Sequence, residues 1–143
     1  MRKMLISLVL AAFAAAPALA QDKGPLVTVV TSENAQTQLM AMVLSAQAAE
    51  QGHAVRMLLC GPGGDLALAD APEAATAPQP PRDMSPQGLM KVLIERGARV
   101  EVCAIYLPGR GEDASVLIEG VGVAQPPEMA GAMLADGAMV WSF

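Results

Sequence analysis

The chain is poor in the residue types that most metal, nucleic-acid and disulfide-rich proteins depend on. Of 143 residues, two are cysteine and one is histidine. One chain with that content cannot build a four-ligand Cys/His zinc site, nor a scaffold stapled by many disulfides. Lysine and arginine number 9 against 14 acidic residues, giving a net charge of −5 and a pI near 4.7. A protein that grips a phosphate backbone needs a basic face, so nucleic acid is not an expected partner. Aromatic residues are only 3% of the chain. No C-x-x-C, G-x-G-x-x-G or G-x-x-x-x-G-K-[ST] pattern is present, so neither a thioredoxin-type motif nor a standard phosphate loop is expected. The ten methionines do not form a Met-x-x-Met cluster with histidine. Met40/Met42 and Met129/Met133 sit at spacings that core packing explains. No metal and no cofactor is expected.

One long apolar run is present, at the start. Arg2 and Lys3 precede the apolar stretch Met4–Ala16, and Ala18-Leu19-Ala20 precedes the polar Gln21-Asp22. Positive end, short apolar core and small-x-small site are the order of a secretory signal peptide. The stretch is short for a membrane span, which needs roughly 20 residues. Residues 1–20 are therefore predicted to be a signal peptide. The remainder, 21–143, is predicted to be a single exported domain in an oxidising periplasm, without a membrane segment after cleavage.

The rest alternates strand and helix. Leu26–Thr31 is a β-branched run that reads as a strand buried on both faces. Ser32, Glu33 and Asn34 follow as capping residues, and Leu39, Met42, Val43, Ala46 and Ala49 recur at helical spacing up to Gly52. Residues 54–60 form a second strand, ended by Gly61-Pro62-Gly63-Gly64, which reads as a tight turn. Residues 65–69 suit one helical turn. The Pro/Ala-rich stretch 71–82 reads as a surface loop. Ser85-Pro86 is a helix start with Leu89, Val92 and Leu93 as its buried stripe, and 98–104 is a third strand. Tyr106–Gly111 reads as a loop from its Pro-Gly content. A helical piece over 113–118, a brief strand over 120–123, a helix from Pro126-Pro127 carrying Met129, Met133 and Leu134, and a strand over 138–143 complete the chain. The pattern predicts an α/β fold, small and doubly wound, with a mainly parallel sheet and helices on both faces.

In such sheets ligands bind beyond the carboxyl ends of the strands. Cys60 ends the second strand and Cys103 the third, so both thiols are placed on one rim, while His53, before the second strand, falls on the other. Cys103 reads either as a reactive thiol or as a small buried hydrophobe closing a strand. Cys60 has three readings: disulfide partner of Cys103, resolving thiol, or inert core residue. Arg110, seven residues past Cys103, is the candidate for stabilising a thiolate as the loop folds back. Glu112-Asp113 reads as a solvated acidic pair, and His53 as a structural histidine.

The order of these pieces resembles the DsrE/DsrF-like family, which includes sulfur-relay proteins. The resemblance is carried by Leu26–Thr31, Gly52–Arg56, Gly97–Cys103 with the Arg110-Gly111 pair after it, Leu117–Val121, and the closing Trp141-Ser142-Phe143. It implies that Cys103 accepts sulfur as a persulfide and passes it on, with a sulfur donor or acceptor, protein or small compound, as partner. It also implies a homo-oligomer, a trimer or hexamer. The exported address and the Pro-rich stretch depart from the relay proteins. The alternative expectation is a non-enzymatic oligomeric binding module with a structural Cys60–Cys103 disulfide.

Overall fold

The computed structural model describes residues 23–143; the predicted signal peptide lies outside them. Five strands form one sheet: β1 (Leu26–Val30), β2 (Val55–Leu59), β3 (Arg99–Val102), β4 (Val121–Val123) and β5 (Met139–Ser142). Their spatial order is β4-β3-β2-β1-β5, and every pairing is parallel. Helices α1 (Ala35–Glu50), α2 (Glu73–Thr76), α3 (Pro86–Glu95), α4 (Tyr106–Arg110) and α5 (Pro126–Met133) connect them, with 3₁₀ turns at Gly61–Ala67 and Ala114–Val116. The chain runs outward from β1 to β4 and then returns to the far side of β1. With right-handed crossovers that reversal puts α5 on the face opposite α1 and α3.

Side chains alternate accordingly. Leu26 and Val30 of β1 and Val55, Met57 and Leu59 of β2 pack with Ala41 and Met42 of α1 and Met90 and Leu93 of α3 in the main core. Val27 packs with Ala124 and Met129 in a smaller cluster under α5.

Both long helices start at the predicted caps. Asn34 Oδ1 accepts the N–H groups of Gln36 and Thr37, each at 3.0 Å, and Ser85 Oγ accepts the Gly88 N–H at 3.0 Å. Of the predicted stripes, Met42 and Leu93 are fully buried and Ala46, Ala49 and Leu89 partly so, while the rest of each buried face is rotated. In α1 the buried residues are Gln38, Ala41, Met42, Ser45 and Ala48; in α3 they are Pro86, Gln87, Met90 and Leu93. Polar groups satisfied internally account for the rotation. Ser45 Oγ shares a 2.8 Å hydrogen bond with Thr28 Oγ1, and Gln87 Nε2 donates to the Leu66 and Leu68 carbonyls at 3.0 and 2.8 Å. A buried polar group with its partner in place carries little penalty, so apolar spacing alone misplaces the stripe. Leu39, Val43, Leu89 and Val92 instead line a groove between α1 and α3, closed by Pro80, Pro81 and Met84.

Three other segments depart from expectation. The 71–82 stretch contains α2 and ends in a bridge between Gln79 and Met84. The helical turn expected at 65–69 begins earlier, at Gly61. Leu134 lies past the end of α5 and is 83% exposed. Among the described residues no helix is long and apolar enough to cross a membrane.

Candidate functional site

The sheet register brings the cysteines together. Arg56 pairs with Arg99, Met57 with Val100, Leu58 with Glu101 and Leu59 with Val102. One further step along both strands places Cys60 opposite Cys103. The ladder holds them there: the Cys60 N–H donates to the Val30 carbonyl and the Cys103 N–H to the Leu59 carbonyl, both at 2.9 Å. Neighbouring strands lie about 4.8 Å apart, within the Cα separation a disulfide needs. The Cα atoms are 5.2 Å apart, and Cys60 and Cys103 form a disulfide. Both residues are half-buried. The disulfide-partner and the resolving-thiol readings of Cys60 both include this bond.

Two close-packed turns frame this pair. The Cys60 carbonyl accepts the Gly63 N–H at 3.1 Å, starting the 3₁₀ turn, and the Cys103 carbonyl accepts the Tyr106 N–H at 2.9 Å, starting α4. Gly63 lies against the Val30 carbonyl and Gly64 against the Tyr106 ring, so a Cβ at either position would collide. The Gly-Pro-Gly-Gly sequence is thus a tight turn with two close approaches.

The segment read as a loop at 106–111 is the helix α4. Pro108 sits in its first turn, where its missing N–H has no intrahelical partner to lose, and Gly111 ends it at φ +69°. This helix carries Arg110. Its Nε donates to Glu112 at 2.6 Å, its Nη1 lies 3.4 Å from Asp65 Oδ1, and the guanidinium stands 5.5 Å from the Tyr106 ring centroid. The Glu112 hydrogen bond is the main cause that holds the Arg110 pKa above its ordinary value. Arg110 is therefore on the cysteine rim, held by two carboxylates and an aromatic face. Glu112 is an ion-pair partner rather than a bare acidic residue, and Asp113 Oδ1 caps the Ser115 N–H at 2.8 Å. Hydrogen bonding from Ser115, its hydroxyl first and its backbone N–H second, draws the Asp113 pKa down.

Two members of the cluster escaped the sequence reading. Tyr106 is buried and donates its hydroxyl proton to Asp65 Oδ1 at 2.6 Å. Burial, followed by the Asp65 hydrogen bond, pushes the phenol pKa far above its usual 10. The available signals were a lone tyrosine three residues past Cys103 and an aspartate four residues past the Gly61 turn. Neither spacing singles out a partner without the fold.

Away from this pair, a histidine holds the opposite rim and a charged network lies on the sheet face under α5. His53 Nδ1 lies 2.8 Å from the Gly24 carbonyl, a structural role tying the N-terminal approach to β2. Glu101, only 2% exposed, takes Arg56 at 2.6 Å and Arg99 at 2.7 Å, and Glu128 completes the network. Among the described residues no group of three or more His, Cys, Asp or Glu side chains comes together to hold a metal ion.

No family model matches the chain, and a search of curated proteins finds no match. Solved structures do match. The ychN protein of E. coli superposes with a TM-score of 0.67 at 20% identity, over 84% of this chain and 99% of that one. MTH1491 of Methanobacterium thermoautotrophicum, a protein of unknown function, superposes with a TM-score of 0.59 at 14% identity, over the same shares. At such identities the likeness concerns the backbone alone. The chain has an α/β, DsrE-like fold, similar to the ychN protein across nearly the whole of that structure.

Proposed function

We propose that this is an exported thiol protein that carries sulfur as a Cys103 persulfide, with Cys60 as the resolving thiol. The observation that carries the reading is the pairing of Cys60 and Cys103 in bonding contact at the carboxyl rim, where ligands reach a parallel sheet. The DsrE-like backbone supports the same reading.

The chemistry starts from the dithiol. The Cys103 thiolate attacks the sulfane sulfur of a donor such as thiosulfate; the Cys103 persulfide forms and sulfite leaves with the electron pair of the broken S–S bond. The outer sulfur then passes to an acceptor thiolate, regenerating the Cys103 thiolate. In the absence of an acceptor, Cys60 attacks the Cys103 sulfur, the disulfide forms and hydrosulfide leaves. A partner dithiol returns the pair to the reduced state, itself becoming a disulfide. Arg110 supplies positive charge on this rim for the anionic donor. The protein works as a homo-oligomer in which a second copy covers Ile105, Leu134 and Val140, exposed at 80%, 83% and 47%.

The reading is tested by treating the dithiol-reduced protein with thiosulfate and weighing it intact. One added sulfur atom on Cys60→Ser, none on Cys103→Ser, and a wild type that returns to the disulfide mass with release of hydrosulfide are the expected results. No added sulfur on any variant overturns it.

A second reading keeps the disulfide permanent, in a non-enzymatic oligomeric binding module. The engagement of Arg110 by Glu112 and Asp65 favours it, because a neutralised guanidinium contributes little to a thiolate. In that case native protein resists dithiol reduction until it unfolds.

A further inference from the structure

The two segments that follow the cysteines are joined a second time, without a covalent bond. The last rung between β2 and β3 is the Cys103 N–H on the Leu59 carbonyl at 2.9 Å. Beyond it the 3₁₀ turn Gly61–Ala67 follows Cys60, and α4 begins at Tyr106, shortly after Cys103. Among the described residues no backbone hydrogen bond links these two segments. Side chains make the link. Tyr106, 8% exposed, lays its ring against Gly64, and its hydroxyl donates to Asp65 Oδ1 at 2.6 Å. Arg110 Nη1 stands 3.4 Å from the same oxygen. A hydroxyl on a carboxylate is a charge-assisted hydrogen bond, stronger than one between neutral groups.

This clasp bears on the step in which the disulfide opens. A partner dithiol gives up two electrons and two protons. The Cys60–Cys103 bond breaks, two thiols form, and the partner closes its own disulfide. Two thiols take more room than a bonded pair, because unbonded sulfur atoms stay at van der Waals distance. The dithiol state therefore gains when the two segments spread, and the clasp opposes spreading. Holding the sulfurs near each other raises their effective concentration and favours reclosure.

We infer that Tyr106 is a positioning residue for the cysteine pair. Through Asp65 it holds the turn after Cys60 to the helix after Cys103 and biases the pair toward the disulfide. The inference rests on the proposed function, in which the pair cycles between the two states. In that cycle the clasp also favours the attack of Cys60 on a Cys103 persulfide, so it sets how long the sulfur waits for an acceptor.

The test is equilibration of the full protein with reduced and oxidised dithiothreitol at a series of ratios, with thiols trapped by alkylation and counted by intact mass. Tyr106→Phe keeps the ring on Gly64 and removes the donor. It should lower the equilibrium constant for closing the disulfide about three- to tenfold, within what one charge-assisted hydrogen bond supplies. Asp65→Ala should lower it by a similar factor, and the double variant no further than either single one. Asp65→Asn, which keeps an acceptor for the phenol, should recover part of the loss. Val55→Ala, a buried position at the start of β2 and so at the far end of that strand from Cys60, should weaken the fold and leave the constant unchanged. The inference is overturned by a Tyr106→Phe constant equal to that of the wild type, by additive losses in the double variant, or by a Val55→Ala constant that moves as far. A disulfide that no ratio opens in folded protein overturns the inference and the proposed function together. The expected shift, with no persulfide on Cys60→Ser, upholds the clasp and sinks the sulfur-carrier reading alone.

Discussion

On one face of the sheet, α1 and α3 seal a continuous aliphatic layer from Leu26 and Met57 to Met90 and Leu93. On the other, the eight-residue α5 covers Val27 and leaves Val29 and Leu58 half-buried and Val140 exposed. The same five strands supply both faces, so the difference lies in the crossovers. Four strands run one way with two long helices on one side; a single short helix serves the return. Charge fills part of the deficit, since Arg56 and Glu101 lie across two strands of the thin face, with Arg99 and Glu128 beside them. Stability thus concentrates on the thick face, and the thin face is left with surface to cover.

The largest expected effect tests that division. Met57→Ala, at a fully buried thick-face position, should cost about 2–5 kcal/mol in denaturant unfolding. Val29→Ala, half-buried on the thin face, should cost clearly less. Equal costs would erase the distinction. Next is Glu101→Gln. It leaves the guanidinium of Arg56, whose side chain is 14% exposed, without the negative charge that faces it at 2.6 Å, and should cost about 3 kcal/mol. The double variant Arg56→Met with Glu101→Leu should recover most of that loss, because an apolar pair suits a mostly buried site. Failure to recover would show that the ion pair holds the register of β2 and β3.

The alkaline range separates the cysteine rim from both faces. Tyr106 is the sole tyrosine of the chain, and its folded pKa lies above its unfolded value of 10.0. The stability this contributes is whole below pH 10 and is lost as pH rises through the folded pKa. Tyrosinate absorbance should therefore appear only together with unfolding. An independent titration at pH 10 in folded protein would place Tyr106 in water. Smaller still is Asn34→Ala, which removes the cap of α1 and should cost about 1 kcal/mol. Smallest is Leu134→Ser, which should change unfolding by no more than about 0.5 kcal/mol. If a second copy covers Leu134, it lowers the assembled mass in sedimentation.

The two regions were unequally legible in the sequence. The strands announce themselves through β-branched runs such as Leu26–Val30, and Asn34, Ser85 and Gly52 mark where helices begin or end. Strand ends alone put Cys60 and Cys103 on one rim. Their bond was one reading among three, because adjacency depends on which strands pair and in what register, and that is a property of the assembled sheet. The helix faces were misjudged where a buried glutamine or serine finds its partner on a distant element, as Gln87 does on Leu66 and Leu68. The helix α4 was missed because proline and glycine discourage helices everywhere except the first turn and the end, which is where Pro108, Gly109 and Gly111 lie.

In the proposed function the rim disulfide opens and closes while the fold persists. Its most direct measurement is thiol titration of the native protein before and after a dithiol reductant, with circular dichroism recorded alongside. No reactive thiol before, two after, and an unchanged spectrum are the predicted results. Thiols that titrate freely without reductant, or that become reactive only as the spectrum collapses, would contradict it.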